Sequence, residues 1–190
     1  MSPRTQEANE AIREERRITI LKTALGAFVE RGFEGTRIQE IADRCGLSYG
    51  LVYRYFPSKE AIFSSLVDMA LEAARALIRS IPQGSSAQVF GSIADFAISG
   101  SSPSYFWIIV ESLTNRGVPP ELAARARVAG QELKAAIAAA GSIADPKEAE
   151  TWAEGILAIL LGASIMKICE LSDGGFASRA ATVLAASGKE

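Results

Sequence analysis

Five strings of loop-forming residues, 82-PQGSS-86, 99-SGSSPS-104, 117-GVPP-120, 141-GSIADP-146 and 172-SDGG-175, constrain the fold of this chain most, because they cut everything after residue 81 into stretches of helical length. The stretches predict helices at about 86–99, 103–115, 119–140, 146–171 and 174–187. No region sustains the alternation of apolar and polar residues that a half-buried strand requires. Ahead of residue 81, Ile18, Leu21, Leu25 and Phe28 recur at spacings of three and four, as on one helix face, and Gly32 is a natural stop. Thr36 is placed to cap a short helix through Arg44, with Ile38, Ile41 and Ala42 as its apolar side. Gly46 turns the chain, Ser48 caps a helix that Pro57 ends, and Ser58 opens a long one to about Ser80. The expectation is an all-α chain of about nine helices, with residues 1–14 and 187–190 frayed.

Composition narrows the function classes. The 190 residues are 48% apolar and 22% charged with a net charge of −2, as in an ordinary soluble globular protein. Residues 1–60 carry +1 and the remainder −3, so any affinity for nucleic acid must come from a local patch and not from a generally basic domain. With no histidine, and with Cys45 and Cys169 far apart, neither a zinc site nor a disulfide framework is expected, and no metal or cofactor. The strongest apolar run, 155-GILAILLGASIM-166, falls short of the roughly 20 residues of a membrane span, and MSPRTQEANEAIREERR lacks the apolar core of a signal peptide. A cytoplasmic location with no membrane partner is expected.

The segment 46-GLSYGLVYRYFPSKEAIF-63 carries the functional signal. Two short helices joined by a tight glycine-containing turn form a helix-turn-helix, whose second helix usually enters the DNA major groove. At about 100° per residue, Val52 and Phe56 share one pole and should pack inward, while Gly50, Leu51 and Arg54 point the opposite way with tyrosines on the flanks. Gly50 would let the backbone approach a base edge, Leu51 could meet a thymine methyl, and Arg54 could reach a base or a phosphate. Tyr49, Tyr53 and Tyr55 offer hydroxyl donors to phosphate oxygens. Lys59, with the free amides after Ser58, and Thr36, Arg37 and Gln39 at the start of the preceding helix add anion-favouring positions.

The string Gly35-Thr36-x-x-x-x-Ile41-Ala42-x-x-x-Gly46-Leu47-Ser48-x-Gly50-x-Val52-Tyr53-x-Tyr55-Phe56-x-Ser58-Lys59-Glu60 resembles the DNA-binding signature of the TetR (tetracycline-repressor-like) family of transcription regulators. The likeness covers about residues 15–65, and includes Phe28 and the Gly32-Phe33 pair. Departures are Cys45 where alanine is more usual, Arg37 where threonine or serine is common, and Leu51 where threonine often sits. The resemblance implies that Arg37, Gln39, Tyr49, Gly50, Leu51 and Arg54 occupy positions contacting bases or nearby backbone. It implies phosphate contacts for Thr36, Ser48, Tyr53, Tyr55 and Lys59. It further implies a homodimer on a palindromic double-stranded operator, most often a repressor released by a small-molecule effector. The domains expected are 1–57 for DNA binding and 58–190 for ligand binding and dimerisation.

Beyond residue 80 the resemblance is one of size and helix count. Segment 152-WAEGILAILLGASIMKIC-169 is apolar nearly all round and slim on one side at Gly155, Ala158, Gly162 and Ala163. It is the candidate dimer helix, with Trp152, Leu157, Ile159, Gly162, Ile165 and Met166 as candidate interface residues and 174–187 beside it. Candidate ligand residues are Phe90, Phe106, Trp107 and Glu111, the last being the one acid in the apolar run 105-YFWIIVESLTNR-116. Two rival classes are an enzyme, for which histidine, a phosphate loop and GxSxG are all missing, and a helical adaptor that binds protein through the same motif. A non-enzyme is expected.

Overall fold

The computed structural model of the protein describes residues 6–98 and 102–168. These form eight α-helices: α1 (Gln6–Gly35), α2 (Ile38–Cys45), α3 (Tyr49–Tyr55), α4 (Lys59–Ser80), α5 (Ser86–Ile98), α6 (Ser102–Thr114), α7 (Pro120–Ala140) and α8 (Pro146–Ile168). The four loop strings between residues 82 and 146 therefore fall at the breaks between helices, the fifth, 172-SDGG-175, lies outside the described residues, and no strand occurs among these. The expected helix at 174–187, together with Cys169, lies outside them.

The buried line of α1 runs through Ile20, Ala24, Ala27 and Phe28. Ile18, expected on that face, is 40% exposed, although Leu21 and Leu25 on the same side are buried. Gly32 interrupts α1 at φ 71°, ψ 175°, a conformation open to glycine and strained for other residues. The interruption swings Phe33 inward to form a cluster with Phe28 and Phe63, with ring centroids 5.0–6.0 Å apart. Such aromatic pairs add about 0.5–1.5 kcal/mol each beyond the area they bury. Gly46 ends α2 at φ 65° and its amide closes on Ala42 and Asp43 carbonyls, the left-handed cap that glycine favours.

Two hydrophobic cores result. The first joins α1, α2, α3 and the N-terminal half of α4 to Ile108 on α6 and to Val118 and Leu122 at the start of α7. The second gathers Leu77, α5, Leu133, Ile137 and the Ala153, Ile156, Leu160 and Ala163 row of α8. α4 runs through both, so the head carrying α2 and α3 stands on the same rod that reaches the bundle.

Candidate nucleic-acid interface

Local chemistry fixes α3. The Ser48 oxygen accepts from the Leu51 amide at 3.3 Å, and the Ser58 oxygen accepts from the Ala61 amide at 3.2 Å to start α4. Val52 and Phe56 are 0% and 3% exposed, which anchors the helix through one pole. Arg17 lies over the Phe56 ring, 5.5 Å from its centroid. On the opposite side Gly50 is exposed, and a Cβ there would meet nothing within 4 Å. Tyr53 and Arg54 are also exposed. Tyr49 and Tyr53 sit 45% and 38% exposed with ring centroids 4.5 Å apart. The Tyr53 hydroxyl beside it raises the Tyr49 pKa above the usual phenol value.

The structure brings most of the sequence-selected residues onto one end of the molecule, with three changes of role. Thr36 does not cap α2. Its residue is 1% exposed, and its hydroxyl donates to the Gly32 and Ala27 carbonyls at 2.8 and 3.2 Å. Arg37 occupies the cap position without a side-chain cap bond. The cause is the break at Gly32, which leaves α1 carbonyls for Thr36 to satisfy. Lys59 is likewise drawn inward: its ammonium donates to the Phe33 carbonyl at 2.8 Å and lies 4.5 Å from the Phe33 ring centroid. Tyr55 is half-buried against the first core instead of lying on an open flank. Ser48 remains exposed, but its oxygen serves the α3 cap.

At the start of α2, Arg37 and Gln39 are exposed, and the Gln39 amide donates to Asp43 at 2.8 Å. Arg44, in the last turn of α2, grips Glu30 of α1 through two bonds of 3.0 and 2.6 Å, which holds the Glu30 carboxyl below its ordinary pKa. Sequence reasoning missed Arg13 and Arg16. They line an open cleft with Asn9, Leu51, Arg54 and Tyr55, so three guanidinium groups from α1 and α3 surround one opening. None of the three is in an ion pair with a described residue. Their signal was the i, i+3 spacing of arginines on a helix ahead of the motif.

The C-terminal candidates separate. Phe106 lines a cavity of ≈ 130 Å3 among α4, α6, α7 and α8, together with Tyr105, which the sequence had not singled out. Phe90 instead is buried in the second core, and Trp107 packs against the first. Glu111 faces the head: its carboxylate accepts from the Phe33 amide at 2.7 Å and from the Asn115 side chain at 2.8 Å. That bond satisfies an amide released by the Gly32 break, and it clips α6 to the end of α1.

On α8, Leu157 lines the cavity while Trp152 and Ile159 pack against the second core. Gly155, Ala158 and Ile165 are exposed, and Gly162 and Met166 are half-buried. An open, slim stripe therefore runs along one side. The longer segment Pro146–Met166 is, by length and composition alone, apolar enough to cross a membrane, with a mean hydropathy of 1.3. Its other side is built into the second core.

Residues 20–66 match the family model described as bacterial regulatory proteins, tetR family. The uncharacterised HTH-type transcriptional regulator YuxN of Bacillus subtilis is 47% identical over 49 residues, covering 26% of this chain and 17% of that protein. The HTH-type transcriptional regulator RutR of Escherichia coli K12 is 42% identical over 53 residues, covering 28% of this chain and 25% of that one. The matched segments thus span a quarter or less of these relatives. Over the longer chain the likeness is one of fold. A Rhodococcus transcriptional regulator superposes with a TM-score of 0.69 at 20% identity, covering 88% of this chain and 92% of its own. Salmonella enterica GusR does so with a TM-score of 0.64 at 24% identity, covering 90% and 91%. The matched residues contain the whole of α2, the glycine turn and α3, so it is this helix-turn-helix that matches the tetR family of bacterial regulatory proteins.

Proposed function

We propose that the protein is a ligand-responsive transcriptional regulator, a repressor that binds a palindromic operator as a homodimer and leaves it when a small molecule enters the bundle. The observation that carries this reading is the division of α3. Val52 and Phe56 hold it down, while Gly50, Tyr53 and Arg54 stay exposed, with room beside Gly50 for close approach. Gly50 and Leu51 meet base edges in the major groove. Arg54, Arg13 and Arg16 surround the cleft where a phosphate strand passes, and the Tyr49 and Tyr53 hydroxyls fix register on the backbone. Arg37 and Gln39 approach from the start of α2.

Two-fold pairing places two α3 helices one turn of DNA apart, roughly 34–36 Å. The stripe of α8 at Gly155, Ala158, Gly162 and Ile165 supports its use as the seam between subunits. Release requires an effector that binds the non-DNA conformation more tightly, because equal affinity for both shifts nothing. α4 runs from the head to the bundle, and α6 carries cavity residues on one side and the Glu111 clip on another. Displacing α6 would therefore pull on the head. The reading includes a cytoplasmic location and no catalytic activity.

Selection of bound fragments from random duplex DNA tests the reading. One palindromic sequence class should emerge, with affinity falling linearly as log salt rises. Recovery of no preferred sequence under any salt condition would contradict it and favour an adaptor.

A further inference from the structure

The cavity among α4, α6, α7 and α8 exists because the residues facing it are short. Ala70, Ala73 and Ala74 on α4 and Ala129 and Gly130 on α7 do not reach across to α6 and α8. A Cβ added at Gly130 would meet nothing within 4 Å. No charged side chain lines the space among the described residues. The acid on α6, Glu111, is turned to the Phe33 amide. The charges on neighbouring surfaces pair with one another: Arg125 with Asp68, and Lys134 with Glu150 and Glu154 at 2.7 and 3.2 Å.

From this arrangement we propose that the cavity binds a small, uncharged ligand that is mostly hydrocarbon, and rejects cations and anions of the same size. The proposal rests on the reading of the protein as an effector-controlled regulator and adds the chemistry of the effector. An ion would lose its hydration with no opposite charge to replace it, a cost that ordinary apolar contact does not offset. A neutral apolar molecule loses nothing by leaving water. The scale also fits: an apolar cavity of about 150 Å3 stays dry and takes benzene, and this one is ≈ 130 Å3 with exposed Leu113 at its edge. Tyr105 brings the one hydroxyl among the lining residues, and burial raises its pKa. A single neutral hydrogen-bonding group on the ligand is therefore the polar limit.

The test uses the full chain and three probes of matched shape: toluene, benzylamine and benzoate. At a tenfold excess over its dissociation constant, toluene should raise Tm by roughly 3–6 °C, and the two ions at the same concentration by less than about 1 °C. Gly130→Leu fills the cavity with a better helix former and should abolish the toluene shift while the free protein unfolds at the same temperature or higher. Ala74→Leu fills it from α4 and serves if that variant does not fold. A shift with benzylamine or benzoate equal to that with toluene overturns the ligand class, as does no shift with toluene up to its solubility. A toluene shift that survives both filling variants overturns the location. Operator affinity measured in the same samples is a separate readout. If toluene binds and Gly130→Leu blocks it, yet the operator stays bound, the effector role fails while the ligand chemistry stands.

Discussion

The two cores of this molecule are built to opposite ends. The first is dense with aromatic rings: Phe28, Phe33 and Phe63 meet edge to face or stacked, and Thr36, Lys59 and Glu111 satisfy the backbone groups freed at Gly32. The second is mostly aliphatic, with Phe90 buried among Leu, Ile and Ala side chains, and alanines and a glycine hold open a cavity at its side. A surface that must present α3 at a fixed angle needs a rigid support. A bundle that admits a ligand, as proposed for this one, needs unfilled volume. The same rod, α4, serves both, so a change in the loose region can be transmitted to the rigid one.

Replacing a side chain in each region breaks or sharpens that contrast. Phe63→Ala removes a ring that is 0% exposed and should cost about 3–5 kcal/mol in urea unfolding. Ala74→Leu, directed at the cavity, should cost less than about 1 kcal/mol or stabilise, because it adds volume where none is occupied. Equal losses at the two sites would erase the distinction between a packed and an open core.

The clip between the regions comes next. Glu111→Ala leaves the Phe33 amide without its acceptor and should cost about 1.5–3 kcal/mol, as for hydrogen bonds to charged groups. Glu111→Gln retains an acceptor oxygen and should recover part of that loss. Chemical denaturation of the three proteins measures both, and a neutral Glu111→Ala would mean that the head does not depend on α6.

Smaller effects are expected at the hinge. Ser58→Ala removes the α4 cap and should cost about 1 kcal/mol at pH 7. Glu60 lies beside that cap, and its own backbone amide, followed by the Ser58 hydroxyl, lowers its carboxyl pKa from 4.5. A depressed carboxyl pKa stabilises fully above the unfolded value and loses that contribution as pH falls through the folded one. The cost of Ser58→Ala should therefore shrink in acid, which unfolding at pH 3 and pH 7 would show. Smallest is a spectroscopic effect: Tyr49 should titrate above the ordinary phenol range in ultraviolet absorbance, and return toward it in Tyr53→Phe.

How much of this was legible in the sequence follows the range of the interactions. α3 could be read closely because its signals are local: Ser48 three residues before the Leu51 amide, Val52 and Phe56 one turn apart, and Gly46 at the turn. The helix divisions between residues 81 and 168 were legible for the same reason. Thr36 was not, because a hydroxyl at that position can cap the next helix or satisfy the previous one, and the break at Gly32 decides. Glu111 reads in the sequence only as an acid within an apolar run, because its partner, the Phe33 amide, is 78 residues away. The cavity was invisible for a related reason. Alanines on α4 and a glycine on α7 are ordinary helix residues until they face one another.

The central claim is that the exposed face of α3 reads DNA through close backbone approach at Gly50. Fluorescence anisotropy of a selected palindromic duplex, titrated with the native protein and with Gly50→Leu, tests it most directly. A Cβ at this position meets nothing within 4 Å in the free protein, and leucine is the better helix former, so the variant should unfold at the same temperature or higher. The account predicts sequence-selective binding by the native protein and its loss in the variant, by at least about tenfold, equivalent to 1.4 kcal/mol. Operator affinity in Gly50→Leu equal to that of the native protein would contradict it.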